Sequence, residues 1–127
     1  MARLSELRSV ASFTTSSFGP METFADDRGG LWWHNISFEA KTGLGSYLLI
    51  MAPGSRSTSH RHEGREEFFV LEGSLRDCDG RLYAQGEFVS LAEGSVHSSE
   101  SETGCKLIVS HWGKTSPVST AELDNAK

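Results

Sequence analysis

The stretch His60 to Gly73, HRHEGREEFFVLEG, sets two histidines and two adjacent glutamates directly against the start of a hydrophobic run. In an extended strand the side chains at i and i+2 point to the same face, so His60 and His62 project together while Arg61 turns away. Such a pair is a ready two-pronged imidazole chelate, although two alternating histidines on a half-exposed strand are also compatible with solvated side chains. A hairpin through Glu63-Gly64-Arg65 is expected to return the chain as a neighbouring antiparallel strand. On that strand Glu66, Phe68 and Val70 share one face and Glu67, Phe69 and Leu71 the other. If Phe68 and Val70 line an interior, Glu66 points into it beside the histidines. A carboxylate there is costly unless paired or bound to a metal. The competing role for Glu66 is an ion pair with Arg56 or Arg65, and Glu67 belongs on the outside.

Working outward, thirteen glycines punctuate short runs rich in Val, Ile, Phe, Tyr and Trp. No segment sustains helical apolar spacing beyond two turns, so the chain reads as all-β. Strands are expected at 31–40, 45–52, 57–62, 66–72, 74–78, 81–83, 87–91, 97–101 and 105–112. The turn signals KTGLG, CDGR, AEGS and ETG lie between them, and the spacing suits a sandwich or small barrel. The chain divides into an N-terminal arm (1–30), a barrel (31–113) and a polar tail (114–127). The arm is a candidate to pair with a partner subunit, and STAELDNAK at the end to form one helical turn.

A length of 127 residues bounds this to one domain and one core. Twelve Lys+Arg against 17 Asp+Glu leave a net charge of −5 and no basic stripe, which argues against a nucleic-acid partner. No window approaches a membrane span, and the start MARLSELRSVASF is too polar for a secretory signal. A cytoplasmic location is the expectation. Cys78 and Cys105 form no C-x-x-C pair and read as free thiols. Cys105 is expected to be a small buried hydrophobe, because no basic neighbour activates it.

The segment Gly54 to Gly73, GSRSTSHRHEGREEFFVLEG, resembles the first cupin motif, G-x5-H-x-H-x3-E-x6-G, at Gly54, His60, His62, Glu66 and Gly73. GEFVSLAEGSVHSSES resembles the second, G-x5-P-x-G-x2-H-x3-N, at Gly86, Gly94 and His97, with Ala92 in place of its proline and Ser101 in place of its asparagine. The resemblance spans roughly Leu31 to Trp112. It implies a double-stranded β-helix, the cupin or jelly-roll β-barrel, in a single domain, with His60, His62, Glu66 and His97 as metal ligands near one open end and a homodimeric assembly.

Three imidazoles and a carboxylate suit one divalent ion with open positions; Fe(II) is favoured, and Mn(II), Ni(II), Co(II) and Zn(II) fit the same donors. More narrowly, HRHEGREEFFVLEGSLRDCDGRLYAQGEFVSLAEGSVHSSESETGC is similar to the cupins grouped with acetylacetone-cleaving dioxygenase and with the cupin domain of anti-sigma factors. The anti-sigma proteins carry a helical zinc domain in front, and the first 30 residues here show no His-x3-Cys-x2-Cys pattern.

The implied activity is a non-haem iron dioxygenase, an oxidoreductase that uses O2 to cleave a C–C bond of a small oxygen-chelating substrate of the β-diketone or hydroxyketone type. The alternatives are a redox-neutral isomerase, lyase or decarboxylase, and a non-catalytic metal or small-molecule binding module. Glu66 tunes the ion or acts as base, and Arg56 is a candidate oxyanion anchor. His111, on the parity of Leu107 and Val109, is a candidate cavity residue whose other placement is at the surface or core edge. Trp32 and Trp33 must face opposite sides of their strand. Phe38, Tyr47, Phe68, Phe88 and Trp112 are expected in the core or pocket wall.

Overall fold

The computed structural model describes residues 1–127. Its elements in chain order are α1 (Leu4–Leu7), β1 (Gly19–Pro20), β2 (Leu31–Asn35), β3 (Leu44–Met51), β4 (Ser55–Arg56), β5 (His60–His62), β6 (Glu66–Asp77), β7 (Leu82–Ala84), β8 (Phe88–Leu91), β9 (Val96–His97), β10 (Ser99–Ser101), β11 (Cys105–Trp112), β12 (Thr115–Pro117) and α2 (Thr120–Ala126). The all-β expectation holds. A nine-stranded sheet runs β1-β2-β3-β11-β6-β10-β4, with β7 and β8 also pairing β6, and a three-stranded sheet runs β12-β5-β9. No helix is long and apolar enough to cross a membrane.

Alternation along β6 and β11 builds the core. Glu66, Phe68 and Val70 are buried on β6, and Cys105, Leu107, Val109 and His111 on β11. Tyr47, Leu49 and Met51 of β3 complete the wall, and Leu31 closes it from β2. Trp33 packs against this cluster whereas Trp32 is 44% exposed, as strand parity requires. Phe88 (64% exposed) and Trp112 (52%) correct the expectation of a core role. Phe88 is opposite Phe69, and Trp112 follows the inward-facing His111, so both fall on the outer parity.

The expected hairpin between β5 and β6 does not form. His60–His62 pairs with β12 and β9, while β6 pairs with β11, β8, β7 and β10. Residues 63–65 instead cross from one sheet to the other. The Glu63 amide donates to Lys114 O (2.7 Å), and the Arg65 carbonyl accepts from the Trp112 amide (2.8 Å). The connection is therefore bonded to the neighbouring β11–β12 crossover and not to itself. Gly64 permits this contact, because a Cβ there would lie 2.2 Å from Trp112 O.

Other boundaries move for local reasons. The strand expected over 31–40 stops at Asn35, whose side chain accepts from the Phe38 amide (2.8 Å) and donates to Phe38 O (2.9 Å), turning the chain. The strands expected at 66–72 and 74–78 are one, with a bulge at Leu71 and, two residues on, Gly73. That residue has φ 77°, and a Cβ there would stand 2.0 Å from Gly104 O. The stretch 97–101 splits between the two sheets, and of 57–62 only His60–His62 is strand. The tail helix runs seven residues, capped by Ser119, where one turn was expected. From Gly19 onward the N-terminal segment joins the barrel: β1 pairs with β2 and Met21 enters the core.

Burial predicts the cost of truncation. Leu107→Ala, inside the barrel, should lose about 2–5 kcal/mol in urea unfolding, whereas Phe88→Ala should stay within about 0.5 kcal/mol of the parent. Equal losses at the two positions would contradict the inward and outward assignment.

Candidate metal centre

Two cross-strand pairs, one from each sheet, build the site. On the three-stranded sheet His60 stands directly opposite His97, and on the large sheet Glu66 stands opposite His111. His62 shares the inward face of His60, both being buried. The ligand atoms of His60, His62, Glu66 and His97 all lie within 4.8 Å of one another. His60 Nε2 is 3.0 Å from His62 Nε2 and 3.1 Å from His97 Nε2, and His62 Nε2 is 3.0 Å from Glu66 Oε2.

What fixes the rings is the far nitrogen of each. His60 Nδ1 donates to Thr58 O (2.8 Å), His97 Nδ1 donates to Asp77 Oδ1 (2.8 Å), and His62 Nδ1 meets Ser95 Oγ (3.0 Å). With the Nδ1 protons of His60 and His97 so placed, their Nε2 atoms turn lone pairs inward, and His62 Nε2 joins them beside Glu66 Oε2. Lone pairs 3.0–3.1 Å apart repel unless a proton or a cation lies among them. The residues therefore fit a divalent ion. With bonds of about 2.1 Å, imidazoles at right angles about an ion stand about 3.0 Å apart and tetrahedral ones about 3.4 Å. The two separations from His60, 3.0 and 3.1 Å, lie within reach of donors to one shared ion.

The electrostatics agree. Burial, then the charge of nearby His97, lowers the His60 pKa to about 4, so this ring is a neutral donor at pH 7. Burial alone would raise Glu66, but the His62 hydrogen bond and the surrounding histidines hold it down to about 2, an anion inside the barrel. Burial likewise opposes ionisation of Asp77, and hydrogen bonds from His97, Ser99 (2.6 Å) and Tyr83 (2.6 Å) overcome it. The pocket thus holds carboxylate charge that only positive charge at the imidazoles can balance.

Of the other residues singled out by sequence, His111 is brought to the site and Arg56 is not. His111 is buried, with Nε2 3.6 Å from Glu66 Oε2 and 2.9 Å from the Tyr47 hydroxyl. Burial, then the Glu66 charge, keeps the Tyr47 phenol protonated, so it donates to His111. Arg56 is exposed and sits 3.4 Å from Asp26 Oδ2, on the outer side of the sheet. Nor do Arg56 or Arg65 pair with Glu66; Arg65 takes Glu67. Both cysteines are free, and burial pushes Cys105 up to about 11.

Sequence reasoning missed Asp77, Ser95 and Phe24, and gave Tyr47 no role beyond the core or pocket wall. The bulge at Leu71, between Val70 opposite Leu107 and Glu72 opposite Lys106, reverses the parity of β6, so Leu75 and Asp77 face inward where unbroken alternation from Glu66 would turn them out. The two departures from the second motif are absorbed locally. Ser101 Oγ donates to Ser74 O (2.7 Å), and the Ser95 amide closes a turn onto Ala92 O.

A family model described as the ChrR cupin-like domain matches residues 15–115. The chain belongs to this family. Among solved structures it is similar to an acetylacetone dioxygenase from Acinetobacter johnsonii (18% identity, 100% of this chain and 88% of that one, TM-score 0.72). It is also similar to a candidate acetylacetone dioxygenase from Methylibium petroleiphilum PM1 (16% identity, 90% and 83%, TM-score 0.77). A third is the anti-sigma factor ChrR of Rhodobacter sphaeroides in complex with SigE (18% identity, TM-score 0.63), where 79% of this chain matches 51% of that one. At these identities the likeness establishes the cupin fold alone. No curated protein matches the chain significantly.

Asp77 should matter to metal affinity without touching the ion. Asp77→Asn should weaken Zn(II) or Co(II) binding, read by chelator competition, about 10–100-fold. Unchanged affinity would remove Asp77 from the account.

Proposed function

We propose that this cupin is a metal-dependent dioxygenase cleaving a C–C bond of a small, oxygen-chelating substrate of the β-diketone or hydroxyketone type. The observation that carries the reading is the convergence of three Nε2 atoms beside an ionised Glu66. His60, His62 and His97 would hold the ion and Glu66 would complete or tune its sphere. The donor set suits Fe(II), which the dioxygenase reading favours, and also Mn(II), Co(II), Ni(II) or Zn(II). Such an ion supplies Lewis acidity, a template for two substrate oxygens and electron relay to dioxygen.

The chain's own residues do the rest. A cavity of about 50 Å3 adjoins the ligands, with Leu49, Met51, Phe68, Leu75, Leu107 and Val109 among its walls. These apolar walls exclude bulk water and contribute no cation, so a neutral substrate that ionises on binding suits them better than a standing anion. Glu66 is placed to take the proton that such a substrate gives up, with His111 beside it. The Tyr47 hydroxyl holds His111 Nε2 and orients its ring. Arg56 has no part in this scheme.

A second reading, a non-catalytic metal or small-molecule binding module, is favoured by the likeness to the cupin part of an anti-sigma factor. Oxygen uptake by Fe(II)-loaded protein on a β-diketone panel separates the two. The account expects consumption stoichiometric with substrate, lost in His60→Ala together with the bound metal. Tightly held zinc and no oxygen consumption by the iron-loaded form would contradict it.

A further inference from the structure

Outside the buried cavity lies a second, larger space of about 410 Å3, whose walls include Trp33, Phe38, Ala40, Lys114, Met21 and Phe24. Met21 and Phe24 also line the inner cavity, so these two side chains stand between the spaces. Phe24 lies over the metal-ligating cluster, its ring 5.5 Å from His60 and stacked at 6.0 Å on His111. Phe38 reaches His111 from the outer side at 5.5 Å and meets Trp33 edge to face at 6.4 Å. The backbone beneath Phe24 is anchored, since its carbonyl accepts from the Thr58 amide at 2.8 Å, and Ala25 bridges to Ser57. The Met21 and Phe24 side chains are therefore what separates the two spaces.

The sizes decide what each can hold. A cavity of about 150 Å3 admits benzene; the inner space, at about 50 Å3, is too small for an aromatic ring and large enough for a pair of oxygens and their carbons. The outer space exceeds that threshold, and Phe24, Trp33 and Phe38 offer it ring faces and edges for stacking.

We infer that the outer space is a second substrate subsite that takes the aryl group of an aryl-bearing oxygen chelator, the chelating head passing Phe24 to reach the histidines. This rests on the metal reading above and narrows its substrate class from small diketones to aryl-substituted ones. The outer wall, through Trp33 and Phe38, is then what selects the substrate, and Phe24 is the partition.

Full-length protein loaded with Co(II) and titrated with hydroxamates, read by the cobalt absorption bands, tests this. The probes are acetohydroxamate, hexanohydroxamate and 3-phenylpropionohydroxamate, which share one chelating head. The aryl probe should bind at least tenfold tighter than acetohydroxamate and tighter than the hexano probe. Ala40→Trp and, separately, Thr23→Trp, both at exposed positions of the outer wall, should cost the aryl probe about tenfold and leave acetohydroxamate within twofold. Equal affinities for the three probes, or tryptophan variants that lower acetohydroxamate as much as the aryl probe, would overturn the subsite while leaving the metal centre intact. A hexano probe as tight as the aryl one would overturn the aromatic preference. Failure of the protein to take up Co(II) would overturn the metal reading, and this inference with it.

Discussion

His60 Nε2 held 3.0 and 3.1 Å from the Nε2 atoms of His62 and His97, beside a buried carboxylate, forms an arrangement that a barrel cannot keep without positive charge at its centre. The outward hydrogen bonds to Thr58, Ser95 and Asp77 commit the Nδ1 sides, so the inward sides have no protein donor to turn to. Everything else in the fold serves that compression. The three-stranded sheet sets His60 opposite His97, the large sheet sets Glu66 opposite His111, and the crossover through Gly64 brings the two sheets into register.

The same geometry explains the division of labour inside the barrel. Polar groups gather at one end, while β3, β6 and β11 supply an apolar floor from Leu49, Val70, Leu107 and Val109. A low-polarity floor strengthens each electrostatic contact at the ion and confines the reacting part of a substrate to the oxygens it presents. Asp77 belongs to this apparatus as much as the ligands do. Its carboxylate fixes the His97 tautomer, and Ser99 and Tyr83 in turn fix the carboxylate.

Much of this was legible in the sequence, because strand period governs it. Alternation alone placed His60 with His62, chose Glu66 over Glu67 and put Trp32 and Trp33 on opposite faces, without saying which of the two faces in. What the period could not reach lay beyond its breaks. The bulge at Leu71 inverts the inside and outside of β6 and hides Asp77; the residues after His62 look like a hairpin until Trp112 and Lys114 take their hydrogen bonds. Phe24 sits on a strap with no period at all. Arg56 looked available as an anchor because its distant partner, Asp26, belongs to that same strap.

X-ray absorption at the metal edge of the Fe(II)- or Co(II)-loaded protein addresses the central claim most directly. The account predicts three imidazole nitrogens at about 2.1 Å with oxygen donors completing the sphere and no sulfur. A shell with one imidazole or none, or with a sulfur scatterer, would contradict it.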